Sequence, residues 1–541
     1  MLSPSTSPKA SLKPGQILLA HGLEALPQTA TVLPINEATQ HPNLPSGPVV
    51  ILGTPCPSIE SITSLALQNP QSQIGLLVPL PPGPDGDKTL RAAASGFFSP
   101  SSVALLQDSA AVYLGDRLYL AAAFHVLEQA MWGTNMMIAR EAFALAHKNG
   151  VDLNLLYNAL GNGAAGSHAF RQLWSILIAG KVDEANRVTQ VAHTALAEGL
   201  ALASKEVFYA PLMGLSKQAA VRRLAIRDVA VDRRNSVSAK AAIQPENPIK
   251  VGFVGLGAMG CPMALVLHKA GLNVDGYDVW EPARDAYTQV GGLAVDDVLS
   301  AAHGADVFLL IVVNAAQVED ILFHQGALAA LADDAVVLVM STVPASEARK
   351  LKTKISGVRP DVGLVDCPVS GAVPRAATGD LMVFCGGLED IKDPVAQAKA
   401  YRVLYLLSSS QGHEEYLVRV PGGVGRGSSV KLSNQHLGGT QISNCAEIQA
   451  FAAKIGLPGR KAHKLLMSGP GWCWVLGHRG LSMLNGLITP PMSAIDIFVK
   501  DMGIVVSEAE ALDVPIPLAA LVQQQFVFAK SLGWGSDDDS G

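Results

Sequence analysis

The sequence predicts an α/β domain followed by an all-helical domain, an order that it runs through twice. Three observations carry that prediction. Short apolar β-like runs fill two blocks, parted by Pro/Gly-rich joins in 16–115 and by helical runs between the earlier strands of 248–426, and each block gives way to a mainly helical pattern. A polar, weakly patterned segment, 233–247, separates the two units as a linker. The two helical parts, 116–232 and 427–541, also align without a gap when one is slid by 306 positions.

In chain order, residues 1–15 are rich in Ser, Pro and Lys and predict a disordered tail. Strand-like runs follow at 17–20, 49–52, 75–78 and 103–106, with the join PLPPGPDG between two of them. No G-x-G-x-x-G occurs in this block. Beyond the linker, candidate strands lie at 251–254, 272–277, 307–313, 336–340, 362–365 and 381–384. The chain then reads as helical to about residue 529, and its last residues, GWGSDDDSG, are acidic and predict a frayed end.

The most informative stretch is KVGFVGLGAMG, a buried-strand pattern running into Gly255, Gly257 and Gly260, with Met259 between the last two, and then into a helix. Such glycines serve a tight turn, close approach of a pyrophosphate and close helix–strand packing, while the helix N-terminus offers free N–H groups to phosphate. The next strand ends at Asp278, 18 residues beyond Gly260, where a carboxylate can accept from the adenosine ribose hydroxyls. This marks 248–426 as a Rossmann domain and makes 16–115 a degenerate Rossmann-like copy. The carboxylate repels a 2′-phosphate, which favours NAD, with NADP not excluded.

Composition bounds the function. A hydrophobic content of 49% with 16% charged residues describes a well-buried globular chain. The net charge of −6 argues against nucleic acid or an anionic membrane as partner. Cys56, Cys261, Cys367, Cys385, Cys445 and Cys473 are scattered without metal-ligand or disulfide spacing, so no metal is expected and a reducing, cytoplasmic setting fits. No apolar run is long enough to span a bilayer.

Four further clusters can carry chemistry. Ser341 and Thr342 follow a strand directly. Ser370 and Gly371 sit in DCPVSGA, a strand end running into a glycine turn that can hold a carboxylate. In GGVGRGSSVKLSNQ, a glycine-rich entry leads to Lys431, Asn434 and Gln435, which share one helical face at i, i+3 and i+4; polar groups on an otherwise apolar helix are costly to bury without a task. Lys500 and Asp501 form a fourth polar pair inside an apolar run.

Taken in order, VGFVGLGAMGCPMA, DCPVSGAVPRAATGDL, GGVGRGSSVKLSNQ and DIFVKDMGIVVSEA resemble the β-hydroxyacid dehydrogenase family, and most nearly its L-threonate branch. The resemblance covers about residues 248–538. It implies hydride exchange between NAD(P) and a small β-hydroxyacid, with Lys431 as general acid/base. It also implies substrate contacts from Ser370, Gly371, Asn434 and Gln435. Cofactor contacts would come from Gly255, Gly257, Met259, Gly260, Asp278, Ser341, Thr342 and Lys500. Two departures stand out: the family's Ser-Gly-Gly is Ser-Gly-Ala here, at Ala372, and Gln435 stands where most members carry asparagine. Lysine needs a lowered pKa to act as a base near neutrality, which burial in a closed cleft would provide.

Under the offset of 306, Gln129, Gly133, Thr134, Glu141 and Gly150 meet Gln435, Gly439, Thr440, Glu447 and Gly456. By contrast, Lys431, Asn434, Lys500 and Asp501 meet His125, Glu128, Thr194 and Ala195. The first unit therefore reads as a duplicate without the chemistry, and the whole as either a homo-oligomer or an internal pseudo-dimer. Two alternatives stay open at this point: a biosynthetic reductase for a larger metabolite, and a silent NAD-binding sensor.

Overall fold

The computed structural model describes residues 31–34, 47–52, 72–80, 91–96, 111–117, 119–161, 163, 165–220, 249–409, 411–486 and 491–540. The expected tail 1–15, the linker 233–247 and the runs 17–20 and 103–106 lie outside the described residues.

Among the described residues of the first unit, five strands form one sheet in chain order. They are β1 (Thr31–Pro34), β2 (Gly47–Leu52), β3 (Ser72–Leu80), β4 (Arg91–Gly96) and β5 (Ala111–Tyr113). Neighbours run parallel except β3 and β4. Five helices follow: α1 (Leu120–Lys148), α2 (Leu153–Leu160), α3 (His168–Ile178), α4 (Val182–Lys205) and α5 (Pro211–Ala220). Local chemistry sets their starts. Asp152 accepts from the N–H groups of Asn154 and Leu155 ahead of α2, and Ser167 accepts from Phe170 N ahead of α3.

The second unit opens with β6 (Lys250–Val254), α6 (Gly260–Lys269), β7 (Asn273–Tyr277), α7 (Glu281–Gln289), β8 (Leu293–Ala294), α8 (Val298–Ala302) and β9 (Val307–Leu310). Next come α9 (Ala315–Glu319), α10 (Ala327–Ala330), β10 (Val336–Val339), α11 (Ala345–Val358) and β11 (Gly363–Asp366). The sheet is completed by β12 (Val369–Ser370), α12 (Ala372–Thr378), β13 (Met382–Gly386), α13 (Pro394–Ser408) and β14 (Leu417–Val420). Its order is β12-β13-β11-β10-β9-β6-β7-β8, with β14 on β13.

Strands β6 to β11 are parallel. Each central strand is apolar along its length because both faces are covered: Val251 and Phe253 enter the core on one side, Val254 that on the other, and Val336/Leu338 against Val337/Val339 repeat the split. The chain leaves β6 toward β7 and β8, then crosses to β9, so the order reverses beside β6. The carboxyl ends of strands at such a reversal are where open α/β sheets bind ligands.

Helices α14 (Arg426–Lys454), α15 (Gly459–Met467), α16 (Trp474–Asn485), α17 (Ile495–Ala511) and α18 (Pro517–Ala529) complete the chain. They share one hydrophobic core with α1 to α5. Two expectations need correction. The run 307–313 is a strand only to Leu310, and beyond it Val312 N donates to the Ser341 side chain instead of to a strand neighbour. The acidic end is not frayed: Asp538 and Asp539 are 1% and 4% exposed, and Arg479 Nε lies 2.8 Å from Asp539 Oδ1. Burial pushes the Asp539 carboxyl up to about 6.

Candidate active site

The glycine loop joins β6 to α6. Gly255, at φ +104°, bonds Tyr277 O through its N–H, and a Cβ on it would lie 2.3 Å from Ile311 O. A Cβ on Gly260 would lie 1.8 Å from Gly255 O, so this glycine lets helix and strand approach. Gly257 differs, because a Cβ there would meet nothing within 4 Å. That open space lies before the N-terminus of α6 and leaves room for a phosphate. Asp278, at the end of β7, accepts from Leu256 N at 2.7 Å and from Trp280 N at 2.9 Å, so its carboxylate braces the loop. Met259 is half-buried against the core below. These residues fit a dinucleotide.

On the other side of the reversal, Ser341 is buried and its Oγ accepts from Val312 N at 2.8 Å, tying the end of β10 to the loop after β9; Thr342 beside it is half-buried. That loop is also touched from the helical domain, since Lys500 Nζ donates to Val313 O at 3.1 Å.

Helix α14 starts on the sheet itself. A Cβ on Gly427 would lie 2.2 Å from Phe384 O and 2.4 Å from Asp366 O, so the first turn sits directly on the ends of β13 and β11. Asp366 accepts from Ser428 N at 2.8 Å and from Ser428 Oγ at 2.6 Å, which fixes the helix N-terminus in place. One turn on, Lys431 is 7% exposed. Burial pushes its amine down to about 8; the nearby Lys500 pushes the same way and Asp501 opposes.

Asp501 organises the polar cluster. It is 2% exposed, accepts from Gln435 Nε2 at 2.5 Å and sits with Oδ1 2.9 Å from Lys500 Nζ. Asn434 Nδ2 in turn donates to Gln435 Oε1 at 2.9 Å, which leaves the buried Asn434 Oδ1 without a partner among the described residues. Lys431, Asn434, Gln435 and Lys500 are thus brought together. Ser370, 9% exposed, lies on β12, the strand that pairs with β13 beneath α14. Gly371 follows at φ +143° and Ala372 at φ +59°, a left-handed conformation that explains why glycine suits the position better.

One residue of this arrangement was not singled out by sequence reasoning, Asp366, which opens its motif; Asp501 was read only as the polar partner of Lys500, and its bond to Gln435 was not foreseen. The idea of an otherwise apolar helix is also corrected. Helix α14 buries Ser428, Ser433, His436, Thr440, Gln441 and Asn444 as well, so burial alone does not mark the trio; its connection to Asp501 does.

Comparison with known proteins gives the family. A profile described as the NAD binding domain of 6-phosphogluconate dehydrogenase matches residues 250–399. One described as NAD-binding of NADP-dependent 3-hydroxyisobutyrate dehydrogenase matches 425–541 and also 121–194. The L-threonate dehydrogenase of Escherichia coli (strain K12) is 35% identical over 54% of this chain and 92% of its own length. The chain belongs to the 3-hydroxyisobutyrate dehydrogenase-like family. The 2-(hydroxymethyl)glutarate dehydrogenase of Eubacterium barkeri is 29% identical, over 94% of its length. A solved 3-hydroxyisobutyrate dehydrogenase from Salmonella typhimurium is 31% identical, covers 54% of this chain and 98% of its own, and superposes with a TM-score of 0.48. As a member of this family the chain is an NAD(P)-dependent dehydrogenase acting on the CH–OH group of hydroxyacids.

Proposed function

We propose that the chain oxidises a small β-hydroxyacid of the L-threonate type, with Lys431 as the general base. The observation that carries this is a buried amine held down to about 8, on the helical face that also presents Asn434 and Gln435. Bound NAD(P) supplies the hydride acceptor. The chain's own residues do the rest. Lys431, neutral in a useful fraction near pH 8, takes the hydroxyl proton through Nζ and returns it in the reverse direction. Asn434 Oδ1, buried and unpartnered among the described residues, is an acceptor for a second substrate hydroxyl. Ser370 and the backbone at Gly371 hold the carboxylate. Asp501 keeps Gln435 and Lys500 in register, and Lys500 holds the loop at Val313 against the helical domain.

Gly255 and Gly260 shape the loop and pack it on the strand, with Met259 packed beneath, and Gly257 would leave the room the pyrophosphate needs. Asp278 braces that loop and would accept from the ribose hydroxyls through its remaining lone pairs, which favours NAD over NADP. Ser341 and Thr342 would lie near the nicotinamide, at the loop that Ser341 ties to the end of its strand. Among the described residues five cysteines are free thiols, including Cys445 and Cys473 with sulfurs 3.5 Å apart, which suits work in the reducing cytoplasm.

The test is formation of reduced nicotinamide from L-threonate, erythronate, glycerate and 3-hydroxyisobutyrate, each with NAD and NADP, in the native chain and in Lys431→Ala. We expect turnover of one acid, with a loss of roughly 10²–10⁴-fold in the variant and unchanged cofactor binding. Native turnover that survives in Lys431→Ala would remove the lysine from the mechanism. Cofactor binding without turnover of any acid would favour the sensor reading.

A further inference from the structure

The helical elements of the two units repeat at one offset. Helices α1 and α14 are each 29 residues, and sliding Leu120–Lys148 by 306 gives Arg426–Lys454. The same slide carries the starts of α2, α3 and α5 onto those of α15, α16 and α18. Left-handed backbone repeats too: Gly150 with Gly456, Gly180 with Gly486, and Val207 with Asp513.

The contacts between the units are reciprocal at that offset. Glu141 accepts from Leu518 N and Ala519 N at the start of α18, and Glu447 accepts from Leu212 N and Met213 N at the start of α5. Asn135 Nδ2 donates to Gly471 O, and Gln441 Nε2 donates to Ala165 O. His168 N donates to Trp472 O, and Trp474 N donates to Gly166 O. Ser167 pairs with Cys473, its own counterpart, in an antiparallel bridge, which places a two-fold axis there. A surface in which i meets j and j meets i is the signature of an isologous, two-fold interface.

We infer that residues 119–220 are a tethered second subunit, which occupies the two-fold surface of the catalytic helical domain and leaves one catalytic centre per chain. The symmetry fails where chemistry sits. His125 replaces Lys431, and burial holds the imidazole's pKa down. Thr194 and Ala195 replace Lys500 and Asp501.

It also fails in one place that favours the active side. His436, next after Gln435 on α14, has its Nε2 3.0 Å from Glu141 Oε2, whereas the residue in the matching position is Ala130. Glu141 of the first unit is therefore a positioning residue for the catalytic helix, and that part rests on the function proposed above.

The test uses the full chain with a protease site inserted within 233–247 and Ser167→Cys, in a Cys445→Ala background. After treatment with oxidised glutathione and cleavage, the two fragments are expected to stay joined on a non-reducing gel and part on reduction, because residues facing each other in an antiparallel bridge are within disulfide reach. Fragments that part without reductant overturn the inference. Calorimetry should find one reduced nicotinamide dinucleotide per chain; two would overturn it equally. Loss of all cofactor binding would count against the functional reading alone, and the cross-link would still decide this one.

Glu141→Gln should lower kcat about 3- to 10-fold with cofactor affinity kept, and Glu447→Gln should leave kcat within 2-fold, on the expectation for a displaced catalytic group. Equal effects in the two variants would make Glu141 structural only.

Discussion

The role proposed for Lys431 sets function against stability. A lysine whose folded pKa is lowered from 10.5 to about 8 sheds its proton earlier in the native state than in the unfolded chain. Below pH 8 the folded state therefore bears the full cost of a buried charge, about 3 kcal/mol for a shift of this size. Between about 8 and 10.5 the unfolded chain binds more protons, so stability rises with pH across that window. Lys431→Met is expected to abolish turnover yet raise stability at pH 7 by up to about 3 kcal/mol, and to flatten the rise between pH 8 and 10. Urea unfolding of both proteins at pH 7 and pH 9.5 checks this. A variant less stable than the native chain at pH 7 would mean that the amine is well solvated or paired when folded. Ala372 shows a related tension, since its left-handed φ of +59° is strained for any residue with a Cβ.

At the scale of elements, the three glycines of the loop separate into packing and binding roles. Gly260→Ala sets a Cβ 1.8 Å from Gly255 O and is expected to destabilise the α/β domain by several kcal/mol, whereas Gly257→Ala meets open space and should leave the melting temperature within a degree or two. What Gly257→Ala should lose is NAD affinity, by roughly tenfold or more, because its methyl would stand where the pyrophosphate approaches. Equal losses of stability in the two variants would contradict this division.

The same elements show what sequence could deliver. Strands β6, β9, β10, β11 and β13 were legible because burial on both faces makes them largely apolar runs, whereas β7, NVDGY, buries alternate residues and was legible by its place after the glycine loop and its helix. Strands β8 and β12 have only two residues each, too short for any period, and β14 carries Arg419. Lys431, Asn434 and Gln435 were legible from helical spacing. The role of Asp501 as their organiser was not, because its bond to Gln435 spans 66 residues of chain. The acidic end misled for a like reason: a run of aspartates reads as solvated, and only the fold brings Arg479 to Asp539.

At the scale of the molecule, the helical halves are expected to fold as one body. Their apolar residues form a single cluster that includes Met131, Phe143 and Leu196 from the first unit with Ile448, Phe451 and Leu518 from the second. The residues that cap the ends of one half come from the other, so neither half satisfies its own buried N–H groups at α5 and α18. Phe208 is a direct probe of this coupling. It is half-buried in the first unit and stacks on Phe451 of α14 with ring centroids 4.8 Å apart. Phe208→Ala should cost about 1–3 kcal/mol, less than a fully buried phenylalanine because part of the ring already faces solvent. The loss should fall on the catalytic half as heavily as on the first. Heat inactivation of the dehydrogenase and loss of helical circular dichroism should therefore move down together, as one transition. If the first unit melted early in Phe208→Ala while activity kept its native midpoint, the halves would be independent domains, and the shared core would contribute nothing to the stability of the catalytic site.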